Sequence, residues 1–313
     1  MAIRTPDRKV ATAARSATRA PHPGATLAPV PLLMRPSRSR IVRSLSRHAV
    51  TIAILVIILY PIVWMVAASL RPNSEVLGRL GLLGRVTGAN YVSGWNPTST
   101  LHFSRFFVNS LVVSGLSVVG NLFACTLAAY AFARLSFPLK RVLFGILLAT
   151  ILLPYQVTLV PQYILFSKLH WVNTYLPLVL PKFLGVDAFF VFLNVQFIRA
   201  LPTDLDEAAR IDGCGWWGVF RRIIVPLSLP AIGATAMFTF INSWNDFLGP
   251  LLYLSKPNLY TVPLGLNLFV DASGTSSFGS LFAMATLSLV PLVGFFLASQ
   301  KLLVEGIATT GIK

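Results

Sequence analysis

Charge is what this chain has least of. Asp, Glu, Lys and Arg make up 12% of its 313 residues, about half the share of an ordinary soluble domain. Such a chain cannot cover a water-facing surface. Acidic residues are scarcest, ten in all. There are two cysteines, Cys125 inside an apolar run and Cys214 in a polar stretch, which excludes a disulfide framework or a zinc site built on thiolates. The four histidines, His22, His48, His102 and His170, are scattered, and no acid–base pair falls together in an apolar run. The chain has no G-x-x-x-x-G-K-[ST], no H-E-x-x-H and no G-x-S-x-G. It therefore has no phosphate-cradling loop of its own, and no cofactor, metal or catalytic role is expected of it.

What is present is apolar sequence, 55% of the chain. Six long runs lie near residues 49–70, 107–133, 142–167, 175–199, 224–253 and 280–303. Each is long enough for a membrane helix, which needs ~20 apolar residues. The expected fold is all-α and membrane-integral, with six spans. The first run reads as a retained span rather than a cleaved signal peptide, because its basic lead-in and its core are both long. Prolines 154, 161, 226 and 230 are expected to kink the third and fifth runs.

Net charge is +16. Ten of the 26 basic residues fall in the first 48 positions. That stretch is rich in Ala, Arg, Pro and Ser, and it is expected to be a disordered arm facing anionic lipid rather than nucleic acid. Met34 precedes the run RPSRSRIVRSLSRH. It is an expected alternative start of translation, which an intact-mass measurement would decide. With the N-terminus inside, the cytoplasmic segments hold 19 Lys and Arg and the outer segments 7. The outer seven are Arg71, Arg79, Arg85, Arg105, Lys168, Lys182 and Lys256. Both ends are thus expected in the cytoplasm.

The loop between the fourth and fifth runs reads ALPTDLDEAARIDGCGWWGVFRRIIVPLSLPAI, residues 200–232. It holds four of the ten acids: Asp204, Asp206, Glu207 and Asp212. Thr203 followed by Asp206 fits a capping-box start, with the Thr203 hydroxyl accepting a free backbone N–H. The acids suit the positive end of a helix dipole. Gly213 can close the helix in the left-handed region. A second short helix carrying Trp216, Trp217, Val219 and Phe220 should follow. Two readings of this helix-turn-helix stay open: an interfacial segment anchored by tryptophan, or a docking site for a soluble partner.

Here the sequence resembles a known family. Glu207-Ala208-Ala209, three residues, Gly213, nine residues, Ile223, one residue, Val225-Pro226 looks like the E-A-A-x3-G-x9-I-x-L-P loop of bacterial ABC importer permeases, with Val225 in place of Leu. IDG at 211–213, YPIVWMVAASLRP at 60–72, Asn109-Ser110, AYAFARLSF at 129–137, PYQVTLVPQYILF at 154–166, SWNDFLGPL at 243–251 and the tail from Gln300 resemble the carbohydrate-uptake branch. Cys214 stands where Ala is usual. The resemblance covers most of residues 50–313.

It implies a type I ABC importer permease fold, N-in and C-in. The arm would be residues 1–48, the first span and outer loop 49–106, the permease core 107–305 with its EAA loop at 203–226, and a cytoplasmic tail 306–313. It also implies partners: a second homologous permease, an ABC ATPase dimer and an extracytoplasmic substrate-binding protein. Glu207, Ala208, Ala209, Asp212, Gly213 and Phe220 are then the expected contacts to the ATPase.

For the substrate path, Asn242, Asn245 and Asp246 are spaced i, i+3, i+4 on the fifth run, with Asn242 ~20 Å from Leu229 along a helix. Tyr155, Gln156, Gln162 and Tyr163 on the third run add amide and ring groups. The same residues could equally bond helix to helix. With no Lys or Arg expected in the membrane interior, a neutral sugar is the expected cargo. An ion-coupled secondary transporter or a non-transport membrane scaffold are the competing functions, and ATP dependence separates the first reading from both.

Overall fold

Helices account for every regular element among the described residues of the computed structural model, which describes 38–76, 84–98, 100–270 and 277–310. Only backbone is described for 38–44 and 303–310. Residues 1–37 with Met34, 77–83 with Arg79, and 311–313 lie outside the described residues.

The long elements are α1 (Arg38–Ser69), α2 (Phe103–Arg134), α3 (Lys140–Ile151), α4 (Tyr155–Lys168), α5 (Leu176–Phe183), α6 (Ala188–Ala200), α7 (Asp204–Ile211), α8 (Trp216–Val219), α9 (Leu229–Trp244), α10 (Leu248–Tyr253) and α11 (Phe278–Thr310). The chain divides into two units, Met1–Ile58 and Leu59–Lys313. In the first, the described part is the beginning of α1. That helix starts at Arg38, so the end of the expected arm is helical: after Pro36 no residue of RSRIVRSLSRH breaks a helix.

Four stretches are long and apolar enough to cross a membrane: Leu45–Ser69, Phe103–Arg134, Leu176–Ala200 and Phe278–Leu302. Two more candidates are bent pairs, α3 with α4 at 104° and Trp216–Leu227 with α9 at 73°. Counting each pair as one span gives six. The bends fall where proline was expected to act. Pro154 leads into α4 and Pro230 opens α9, each at a position where a missing N–H leaves no helical bond unmade. Pro161 stays inside α4 without ending it.

Helix α2 is the axis of the second unit. Its buried positions include Phe103, Phe106, Ser110, Val113, Ser117, Asn121, Cys125 and Ala129, an i+3/i+4 progression down one face. Small residues on that face allow close approach. At Gly120 a Cβ atom would land on the ring of Phe183 from α5. One hydrophobic cluster, at the end carrying residues 200–228, joins α2 to α6, α7 and α8 through Tyr130, Val195, Ile198, Ala209 and Val219. A second, at the opposite end, packs Phe103 and Phe106 on Trp244, Phe269 and Met284.

Between them runs a polar seam. Asn121 Nδ2 donates to Thr239 Oγ1 at 2.8 Å, Asn194 Nδ2 to Thr235 Oγ1 at 2.8 Å, and Ser243 Oγ to Ser117 Oγ at 3.3 Å. Interhelical hydrogen bonds of this kind hold helices together where lipid removes the hydrophobic drive. Asn109 and Ser110 act in the same way: Asn109 Nδ2 donates to the Asn258 and Tyr260 carbonyls, and Ser110 Oγ accepts the Val262 N–H at 2.8 Å. They pin the segment between α10 and α11 onto α2.

Candidate functional site

Residues 200–228 fold as a helix-turn-helix. Helix α7 ends in a glycine turn: Gly213 has φ +84°, its N–H donates to the Arg210 carbonyl at 3.0 Å, and the Cys214 N–H reaches back to Ala209 at 2.9 Å. This double bond pattern satisfies the last carbonyls of the helix. An alanine at 214 would supply that backbone N–H as well; the cysteine adds a thiol that packs on the cluster and accepts from Arg222 Nη1 at 3.9 Å. Arg210 then lays its guanidinium 3.6 Å over the Trp216 ring, closing α7 onto α8. A π-helical turn at Phe220–Ile224 carries the chain on to the bend at Ser228.

The beginning of α7 departs from the expectation. Thr203 precedes it in helical geometry and its side chain makes no capping bond. The reason lies at Asp206. Its carboxylate, which a capping box would turn toward the helix start, points instead at Arg134 of α2, with Nε to Oδ2 at 2.7 Å and both side chains 6% exposed.

The expected docking residues therefore fall on two sides of α7. Glu207, Ala208, Asp212 and Gly213 are exposed, and with them Leu205 and Ile211, the latter 87% exposed. Ala209 is buried in the cluster with Val219 and Ile198. Phe220 is also buried, its ring 5.1 Å from Tyr130 and 5.1 Å from Trp217. Both face inward, away from the exposed side of α7. The exposed aromatics are Trp217, at 61%, and Trp216, at 49%. Ile211 and the Arg134–Asp206 pair were missed; a helical wheel centred on Ala209 puts Ile211 on the outer face and Asp206 on the inner one, but it gives no sign of Arg134.

Gly213 lends itself to a clean test. A side chain there would meet nothing within 4 Å, so only backbone strain opposes it. Gly213→Val is expected to cost ~1–2 kcal/mol locally, read as several-fold faster tryptic cleavage after Arg210 in isolated membranes. An unchanged cleavage rate would show that the turn does not depend on glycine.

A cleft of about 960 Å³ opens beside α9. That is at the upper end of the ~300–1,000 Å³ usual for small-molecule sites. Tyr155, Thr158 and Gln162 of α4 line one wall, and Asn242 and Asp246 another. Gln156 and Asn245 do not line it. The i, i+3, i+4 argument needed a helix through residue 246, but α9 stops at Trp244. Asn245 donates its amide back to the Ile241 carbonyl at 3.0 Å, and Asp246 lies beyond the helix, accepting the Gly249 N–H at 3.1 Å. Tyr163 stacks on Tyr253 instead.

The break between α5 and α6 adds two residues that spacing did not single out. Lys182 and Asp187 both line the cleft and form an ion pair at 2.8 Å, 30% and 24% exposed. Lys182 thus belongs to the span Leu176–Ala200 and not to an outer loop. Arg71 is buried just beyond α1 and the Arg134 side chain is 6% exposed at the last residue of α2; Lys182, inside a span, is the cation that departs from the expectation of none in the membrane interior. A membrane cation persists where an acid is near enough to pair with it, as at both ion pairs seen here.

Residues 120–309 match the family described as the binding-protein-dependent transport system inner membrane component. The chain belongs to this family. The permease is 34% identical over 260 residues to the probable ABC transporter permease protein YurM of Bacillus subtilis (strain 168), covering 83% of this chain and 85% of that one. It is 34% identical over 263 residues to the trehalose/maltose transport system permease protein MalG of Thermococcus litoralis, covering 84% and 94%. It is 33% identical over 260 residues to the arabinooligosaccharides transport system permease protein AraQ of Bacillus subtilis, covering 82% and 90%.

Among solved structures, a bacterial ABC transporter involved in the import of the acidic polysaccharide alginate superposes with a TM-score of 0.72 at 18% identity, covering 85% of this permease and 98% of that chain. The likeness shows the fold. The permease is a multi-pass membrane protein, and its relatives are transport subunits rather than enzymes.

Proposed function

We propose that this permease moves a sugar or related carbohydrate inward by alternating access, driven by ATP hydrolysis on a separate subunit. The observation that carries the reading is the two-faced α7. It is anchored to α2 on one side and offers Glu207, Ala208, Ile211 and Asp212 on the other. A connector would not need that construction; a lever that must grip an ATPase does. On this reading both termini are cytoplasmic, two ATPase copies dock below, and a second permease faces the cleft. An extracytoplasmic binding protein delivers the cargo. Closure of the ATPases moves the docking helices, and the permease pair shifts between two packed states.

The arabinooligosaccharide and trehalose/maltose permeases among the relatives support a carbohydrate cargo. So does the wall chemistry: two tyrosines, amides, hydroxyls and the Asp246 carboxylate beside the Lys182–Asp187 pair offer the hydrogen-bonding groups that a polyhydroxylated molecule needs.

The test is purification in mild detergent followed by reconstitution. A second permease and an ATPase are expected to come with the chain, and uptake is expected to require ATP. Uptake driven by an ion gradient with no ATPase present would transfer the chain to the secondary transporters. Within the cleft, Asn242→Leu is expected to raise the sugar concentration needed for half-maximal uptake ~10-fold, by removing hydrogen bonds worth ~1.5 kcal/mol. An unchanged concentration dependence would return Asn242 to packing.

A further inference from the structure

We infer that the buried pair Arg134–Asp206 is the joint through which movement of the docking helix reaches α2 and the cleft. Arg134 and Asp206 are then positioning residues that keep ATP hydrolysis and transport in step. The inference rests on the docking reading above and adds the path inside this chain.

Adjacent acids divide the work. Glu207 is exposed, while Asp206 points into the permease. The Arg134 guanidinium does not hold Asp206 alone. Its Nη2 donates to the Leu201 carbonyl at 2.7 Å, where α6 has just ended. One planar group thus grips the entry of the loop and its docking helix together, a geometry that an ammonium cannot reproduce. One turn earlier, Tyr130 Oη donates to the Trp216 carbonyl at 3.0 Å, tying the second short helix to the same end of α2. All three attachments leave the last turns of a single helix.

That helix continues to the cleft. Asn121 and Ser117 bond to Thr239 and Ser243 on α9, and Ser243 and Val113 both line the cleft. A displacement at residue 206 therefore has a route through Arg134 and α2 to α9, the helix that carries Asn242. A buried ion pair is a poor source of net stability, because desolvation offsets the attraction. What it does provide is a fixed point: the Arg134 and Asp206 side chains, each 6% exposed, meet at 2.7 Å, where apolar neighbours alone could slide.

The test uses the complete importer in proteoliposomes, with uptake and ATP hydrolysis measured in the same samples. Arg134→Lys keeps the charge but loses the two-point grip, and Asp206→Asn keeps the shape but loses the charge. Both are expected to retain the ATPase subunit and to lower uptake per ATP hydrolysed roughly five-fold or more. The double variant is expected to lose no more than either single one, because the pair acts as a unit.

Unchanged uptake per ATP in Arg134→Lys and Asp206→Asn overturns the proposal. So do losses that multiply in the double variant. So does an Asp206→Asn protein missing from the membrane while Arg134→Lys transports normally, which would make the pair structural only. The docking reading fails differently, by the absence of an ATPase from the wild-type preparation.

Discussion

Glu207→Lys is expected to leave the permease in the membrane and to strip it of its ATPase. The side chain stands on the exposed face of α7 between Asp204 and Arg210, and it makes no bond that the fold needs. Its own helix is held from behind by Asp206 and Ala209, so the fold should survive the change. The cost falls on the contact with the partner. An ion pair at 4 Å contributes ~1 kcal/mol in water and ~4 kcal/mol at a partly dry surface. Reversing one charge turns that attraction into a repulsion of similar size, a swing of ~2–8 kcal/mol. Since ~1.4 kcal/mol is ten-fold in affinity, the ATPase should be lost from detergent preparations and uptake abolished. Glu207→Gln removes the attraction without adding repulsion and should keep part of both. A full complement of ATPase bound to Glu207→Lys would refute the assigned role.

Gly120→Leu is expected to produce a large loss of stability. The position lies on the buried face of α2, where a Cβ atom would coincide with the Phe183 ring. Overpacking of this kind costs ~1–3 kcal/mol and often more. Phe183 is 36% exposed, so a turn of its ring about χ1 can relieve part of the overlap at the expense of its present place beside α2. Phe183 ends α5, immediately after Lys182 and just before the break that brings Lys182 to Asp187. The thermal midpoint in detergent and the amount of protein in the membrane should both fall. Phe183→Ala in the same background should recover a large part of the loss, because the two positions share one volume. If Phe183→Ala recovers nothing, the close approach of α2 and α5 is not what Gly120 provides.

The sequence was informative where a property is local. Long apolar runs declared the spans because hydrocarbon demands them. Gly213 declared the end of α7 because few other residues adopt its backbone geometry. Pro154 and Pro230 announced the two bends. What the chain did not declare depended on tertiary partners. Thr203 and Asp206 have the spacing of a cap, but Arg134, 72 residues earlier, takes the carboxylate. Ala209 and Phe220 belong to a pattern associated with docking, yet the hydrophobic cluster claims both. The end of α9 at Trp244 was hidden because the apolar run resumes at Phe247 after two polar residues; the signal available was Asp246 three residues ahead of Gly249. Lys182 looked like a loop charge because its partner, Asp187, sits across a helix break that hydropathy does not register.

The two faces of α7 also bear on whether subunits can be exchanged between importers. Asp206 answers only to Arg134 of its own chain, so the two can change together without consulting any other protein. On the proposed docking reading, Glu207, Ala208, Ile211 and Asp212, all exposed, answer to a foreign surface. An ATPase shared by several permeases would constrain the second group and leave the first free to drift as a pair. Grafting only those four outward residues from one permease to another should be enough to redirect which motor it accepts, while the inner face travels unaltered with its own scaffold.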